Sequence, residues 1–443
     1  MNPLLRRALG PLLPQTNAKT LDRDVGSGVI WNAAAMVLIA ILGVLLNILI
    51  GHLRGPEALG IFNQVMALFL IGNQIAAGGL HFSVLRHMSD RQSYPPAEQG
   101  GMVLGALLVG SLWGALICAM MALLAPTFGN LLESPAVAQG TLVMLPGLWA
   151  YVLNKTMLGA LNGQRRMRFY AVALACRFLL LTGGVALLIG LDTESAHLPM
   201  AFSMAEGGLL LLLLGDLLWR QWRAGFAHWA RWAIKHIRFG PRAASIGLLV
   251  EVNTRVDVLM LGFFMDDATV GIYSFAAMLA EGLTLFVVVV RQNIAPLIPA
   301  YETKGLAALR QELMQPVMSR MVPAMLLLNG IGIAFYPLFS HLLMEGRGFE
   351  AGWLPFVILG SGVALSSGHN TFLLLLNQLG HPGKNSVLVA LLLLTNGLLN
   401  LILIPLFGLN GAALATALSL ICLIPYQNLF LRQLFSPESS PAP

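Results

Sequence analysis

Three ionisable side chains and an asparagine stand in the middle of an apolar run that is otherwise fit to cross a bilayer. The run is residues 242–264, and the four are Glu251, Asn253, Arg255 and Asp257. A helix rises about 1.5 Å per residue, so a run of this length spans a hydrocarbon core of about 30 Å. Each charge at the bilayer centre costs about 2.5–3.5 kcal/mol on insertion scales, so the group needs partners or water. At about 100° per residue, Glu251 and Arg255 share one face, while Asn253 and Asp257 share nearly the opposite one. A helix polar on two sides cannot simply face lipid. It sits between other helices or borders a wet cavity.

The rest of the chain agrees with a membrane setting. Of 443 residues, 57% are apolar and 10% charged, with a mean hydropathy of +0.76. A soluble domain carries about 25% charged residues, so the expectation is an all-α polytopic membrane protein. Apolar windows of about 20 residues predict about twelve transmembrane helices: 27–51, 60–83, 101–124, 136–159, 168–190, 197–218, 242–264, 268–291, 317–343, 352–376, 386–407 and 410–432. Spans 7 and 8, and spans 11 and 12, are joined by very short turns and form antiparallel hairpins. The cysteines Cys118, Cys176 and Cys422 all fall in spans, which argues for small buried residues rather than a disulfide scaffold.

Charge sets the orientation. Of 26 Lys and Arg, Lys155, Arg177 and Arg255 fall inside spans, Arg54 and Arg347 in odd-to-even loops, and the other 21 in the termini or even-to-odd loops. That asymmetry places both termini in the cytoplasm. The net charge of +6 therefore reports topology and membrane lipid rather than nucleic acid. No small-residue cleavage site follows a short apolar core near the start, so no removable signal peptide is expected.

Two pseudo-symmetric six-helix bundles are expected: residues 1–218 with a cytoplasmic tail, and 242–443, joined by a cytoplasmic linker at 219–241. In the linker Trp222, Phe226, Trp229, Ala233 and Ile237 recur at helical spacing against Arg223, Arg231, Lys235 and Arg238. This predicts a basic amphipathic helix lying on the inner membrane face. The tail 436–443 is rich in Pro and Ser and predicts disorder. Residues 57–62 and 268–273 are similar and lie 211 apart, entering spans 2 and 8; residues 161–164 and 376–380 leave spans 4 and 10 alike. Six is an even number, so the halves share one orientation and relate about an axis along the membrane normal. Subtracting 211 sets Glu251, Asn253, Arg255 and Asp257 against Ala40, Leu42, Val44 and Leu46. Fold symmetry does not require the charges, which points to a functional reason.

Candidate binding groups are the cations Arg255, Arg177, Lys155 and Arg291. Guanidinium and ammonium groups in a low-dielectric chamber hold an anion such as a diphosphate. Lys155 and Arg291 also lie where they can snorkel to the inner interface, and Arg255 where it can pair with Glu251 in the favourable Glu-first order. Candidate ion- or proton-coupling groups are Glu251, Asp257 and Glu281, with Glu206 a weaker one. Cations match or outnumber acids at depth in this reading. Intramembrane asparagines such as Asn63, Asn154, Asn370, Asn396 and Asn400 either bond a sugar or join helices.

Enzyme motifs are poor. Asp22-Arg23-Asp24 spells a sugar-transferase pattern but has no domain around it, and chance accounts for it. The nine histidines form no metal-ligand spacing, and no phosphate loop is encoded, so neither metal, cofactor nor ATP motor is expected.

At Gly51-His52-Leu53-Arg54-Gly55-Pro56-Glu57-Ala58-Leu59-Gly60-Ile61-Phe62 the chain resembles the polysaccharide transporter family, the Wzx-type lipid-linked oligosaccharide or O-antigen flippases. They belong to the multidrug/oligosaccharidyl-lipid/polysaccharide exporter superfamily. The opening Gly26-Ser27-Gly28-Val29-Ile30-Trp31 is similar to the family's start, and Asn253-Thr254-Arg255-Val256-Asp257 to its Asn-x-Arg-x-Asp segment. The resemblance implies two six-helix bundles in a V, alternating between inward and outward openings. It implies an undecaprenyl-diphosphate-linked oligosaccharide as cargo, an O-antigen, capsule or exopolysaccharide unit crossing a bacterial inner membrane. H⁺ or Na⁺ coupling and contact with polysaccharide polymerase machinery are implied as well. Of the candidates, only Arg255 and Asp257 match the family segment by position. The related lipid II flippases usually carry fourteen helices, against twelve expected here. Two rivals stand beside this transporter: a multidrug-and-toxin H⁺/Na⁺-coupled exporter, which wants an acidic lumen, and a membrane glycan polymerase, which usually presents a large outer loop.

Overall fold

The computed structural model describes residues 21–221, 224–344 and 346–435, and they are almost wholly helical with no strand among them. The chain opens on one long helix, α1 (Leu21–Ala77), which bends at Gly55, where φ is 86°. Glycine takes that conformation freely, and Pro56, which lacks an N–H, starts the second arm at no hydrogen-bonding cost. The first two expected spans are thus two arms of one helix. Positive φ at Gly78 and Gly79 turns the chain into α2 (Leu80–Ser89). There follow α3 (Pro96–Leu131), α4 (Pro135–Gly163), α5 (Met167–Gly190) and α6 (Met200–Gln221). The second half holds α7 (Trp229–Phe264), α8 (Asp267–Ile294), α9 (Tyr301–Ala308), α10 (Gln315–Met344), α11 (Trp353–Asn370), α12 (Leu375–Gln378), α13 (Pro382–Phe407) and α14 (Leu409–Leu434).

Nine segments among the described residues are long and apolar enough to cross a membrane. Two of them, Ile30–Ala77 at 48 residues and Asp267–Met344 at 78, are each long enough for two crossings. The expected count of twelve needs those and α7, whose apolar part carries Glu251, Arg255 and Asp257. Both short hairpins form. Asp266 caps α8 by accepting from the Thr269 N–H at 2.8 Å, and Gly408, at φ 56°, turns α13 into α14.

The linker differs from the sequence expectation. Helix α7 starts at Trp229 and runs on unbroken into the seventh span. Its first turns dock against α2 and α3, where Gly101 and Gly105 let the backbones of Ala227 and Trp229 approach. The docked face is Trp232 and His236, 2% and 0% exposed, while the expected Trp229 and Ile237 stay about half exposed. His236 Nε2 donates to the Met102 carbonyl at 3.0 Å, its Nδ1 meets Ser83 Oγ at 2.8 Å, and Arg231 donates to Glu98. Polar partners on α2 and α3 rotate the buried face away from the apolar stripe. Trp222, Arg223 and the tail 436–443 lie outside the described residues.

The halves meet through α1 and α8. Chain termini and even-to-odd loops define a near end, the odd-to-even loops a far end. At the far end Gly60 and Gly271 bring the two helices backbone to backbone. Gly51 packs under Met344 and Phe349, and His52 Nδ1 lies 2.8 Å from the Leu343 carbonyl. Asp267 of the second half takes Gln64 Nε2 at 2.5 Å and Ser134 Oγ at 2.6 Å from the first. Toward the near end the two helices part: Val37 and Ile41 on α1, and Phe286 and Val289 on α8, are each more than half exposed.

Candidate functional site

Between the halves, inward of that closure, lies a cavity of about 520 Å³. Arg177, Arg255, Glu206, Glu251, Asp257 and Glu281 line it. Five of the seven residues singled out from the sequence therefore converge on one space, from α5, α7 and α8. The surrounding wall comes from α1, with Asn47, Asn63 and Phe69, and from Tyr151 and Phe202.

The two guanidinium groups are held differently. Arg177 grips Glu206, with Nε to Oε1 at 2.8 Å and an Nη to Oε2 at 3.2 Å, and lies 4.5 Å from the Tyr151 ring centroid. Glu206, 3% exposed, also accepts from Asn154 Nδ2 at 2.8 Å. Such a desolvated pair is costly to break from one side. Arg255 instead floats between two acids, 3.7 Å from Glu251 and 3.5 Å from Glu281. Those separations exceed an ordinary charge-assisted hydrogen bond, so a stronger anion can compete for the guanidinium. Glu281 carries its carboxylate into the open space, its side chain 52% exposed.

Asp257 faces the cavity edge but is tied within the second half. Its Oδ2 accepts from the Tyr273 hydroxyl at 2.5 Å and from Thr416 Oγ1 at 3.4 Å, and its Oδ1 lies 2.9 Å from the Val258 N–H. Lys155 sits just behind the lining, its Nζ donating to Gln74 Oε1 at 3.0 Å and lying 5.6 Å from the Tyr151 ring. Gln74 Nε2 in turn donates to Glu251 Oε2 at 3.4 Å. A polar chain thus crosses from one half to the other: Arg177, Tyr151, Lys155, Gln74, Glu251, Arg255.

One expectation is corrected. Arg291 is not among the cavity residues; it donates to the Asn370 carbonyl at 2.8 Å and to Asn370 Oδ1 at 2.7 Å, tying α8 to the end of α11. The lining itself holds four carboxylates and two guanidinium groups, while at depth the four cations Lys155, Arg177, Arg255 and Arg291 still match the four acids. Glu206 and Asp257 are spent on fixed partners, which leaves Glu251 and Glu281 against Arg255. Sequence reasoning missed Tyr151 and Gln74. Tyr151 stands one helical turn from Lys155, and Gln74 is a lone amide late in the second span; those were the available signals.

Comparison with known proteins fits this geometry. A probable low-salt glycan biosynthesis flippase, Agl15 of Haloferax volcanii, is 28% identical over 283 residues, 61% of this chain and 57% of that protein's length. Among solved structures, the lipid II flippase MurJ in an inward closed conformation superposes with a TM-score of 0.69 at 15% identity, covering 91% of this chain and 87% of that one. A multidrug resistance MATE family transporter of the MOP superfamily, inward-facing, gives 0.65 at 13% identity, covering 94% and 100%. Both share the fold. Residues 25–302 match the family model described as polysaccharide biosynthesis protein, which covers more than half of the chain, and to that family the chain belongs.

Proposed function

We propose that this protein flips an undecaprenyl-diphosphate-linked oligosaccharide across a bacterial inner membrane by alternating access between its halves. One observation carries the reading: Arg255 is held at 3.5–3.7 Å by two carboxylates inside a cavity between the bundles. A diphosphate would displace those loose contacts, and the released Glu251 and Glu281 would take up H⁺ or bind a cation. The far closure and parted near ends fit a cavity opening toward the cytoplasm. Arg177 would contribute field rather than direct contact while Glu206 holds it. Lys155 lies close enough to join the diphosphate through the Gln74 relay. The named relatives support the class of cargo, since Agl15 is named for glycan biosynthesis and MurJ for lipid II.

A second reading is cation or drug export, favoured by the four carboxylates in the lining. Reconstitution separates the two. Proteoliposomes given a fluorescent undecaprenyl-diphosphate glycan should show protein-dependent access to the opposite leaflet. Transport of ethidium under a pH gradient, with no glycan movement, would favour export instead.

A further inference from the structure

A second hollow, of about 700 Å³, lies between the second arm of α1, the start of α2, α3, and α7 at His236, Ile237 and Leu248. Its walls include Leu80, Leu112, Trp113, Leu116 and Leu248, with His236 at one end, and no Lys, Arg, Asp or Glu lines it among the described residues. The helix break at Gly78 shapes one side, and Trp113 is pinned there by donating its Nε1–H to the Ile75 carbonyl at 3.1 Å. Leu112 and Leu116 are 77% and 50% exposed, so the groove opens outward where a span meets lipid.

What singles this groove out is its inner edge. Gln74 lines it, and the same side chain holds Lys155 at 3.0 Å and Glu251 at 3.4 Å in the polar chain beside the cavity. Opposite stands Gly247, where an added Cβ would meet, among the described residues, Gln74 Oε1 at 3.7 Å. Gln74 and Gly247 therefore stand between the apolar trough and the polar chain of Lys155, Glu251 and Arg255. A ligand with an anionic head and a long hydrocarbon chain satisfies both sides at once. Phospholipid can wet the trough, but Lys155 and Arg255 behind the gap favour a diphosphate. We propose that this groove seats the polyprenyl chain of the transported lipid, and that Gln74 and Gly247 flank the portal joining chain to head. The proposal rests on the flippase reading and adds where the lipid enters.

The test uses the full chain in nanodiscs with tritiated undecaprenyl diphosphate N-acetylglucosamine as probe. A benzophenone amino acid replaces Leu112 in the groove or, as control, Leu394, which is 61% exposed on the other half. Saturable binding is measured separately on the unmodified protein. Labelling at position 112 should exceed that at 394 by about tenfold, because burying many methylenes outweighs passing contact with bulk lipid. Gly247→Phe should weaken binding of the long-chain lipid by about tenfold, and that of a two-isoprene analogue by less than about twofold. Saturable binding with equal labelling at both positions overturns the groove assignment and leaves the flippase reading standing. Absence of saturable binding overturns both.

Discussion

Gly60 and Gly271 close the far end of the molecule against each other. A Cβ on Gly60 would stand 1.8 Å from the Asp267 carbonyl oxygen, and one on Gly271 would stand 1.9 Å from the Pro56 carbonyl oxygen. Each contact becomes the other when numbers shift by 211, so the closure sits on the pseudo-symmetry axis. Small residues let helix backbones touch where no hydrophobic force between helices operates in lipid. On the alternating-access mechanism proposed above, this seam would open and close once per cycle.

Leucine at either glycine should therefore disable closure rather than folding. Gly60→Leu and Gly271→Leu are each expected to raise far-side maleimide labelling of a cysteine at Val270, fully buried here, by about tenfold. Unchanged labelling would remove the seam from the mechanism.

Asp267 is the polar latch beside that seam. Asp267→Ala strips partners from Gln64 and Ser134, and a buried group left unpaired costs about 1–3 kcal/mol. The far-closed population should fall by roughly fivefold to a hundredfold, measured by spin-label distances across the far end. Identical distance distributions would show that the latch is dispensable.

The Arg177–Glu206 clasp is expected to behave as structure. Glu206→Leu alone leaves a buried guanidinium and should cost about 3–5 kcal/mol, read as a lower melting temperature in detergent. Arg177→Met combined with Glu206→Leu should recover most of that loss. A single variant as stable as the parent would refute the clasp.

His236 makes the docking of α7 sensitive to acid. It lies at the near end, ahead of the part of α7 that crosses the membrane. Burial lowers its pKa from 6.5 to about 4, with the Met102 carbonyl pulling the other way and His87 and Lys235 adding to the drop. The neutral ring is the docked one, so its contribution is whole above pH 6.5 and fades as pH falls toward 4. The loss reaches roughly 3 kcal/mol at the acid limit. Trp232 fluorescence should report undocking in that window, and His236→Gln should flatten the response.

Helix 7 was legible in the sequence because buried charge is rare enough to be conspicuous. The convergence of Glu251, Arg255, Asp257 and Glu281 followed from a hairpin whose turn is too short to let the helices drift apart. Arg177 was found by depth alone, but its partner was ranked low because nothing local says that α5 and α6 set Arg177 against Glu206. Arg291 was misplaced because depth does not report which side of a helix faces the cavity. The linker face was missed for a related reason: hydrophobic spacing favours Trp229 and Ile237, whereas Glu98, Ser83 and the Met102 carbonyl, distant in sequence, select Trp232 and His236. The repeat at 211 residues was visible, yet only packing shows that its two glycines touch.

Arg255 carries the central claim, and the direct measurement is the initial flipping rate of undecaprenyl-diphosphate glycan in proteoliposomes at matched protein content. Arg255→Ala should slow it by at least about tenfold, the worth of one charge-assisted contact to phosphate, with Arg255→Lys retaining part of the rate. Equal rates for the parent and Arg255→Ala would contradict a role for this guanidinium in holding the cargo.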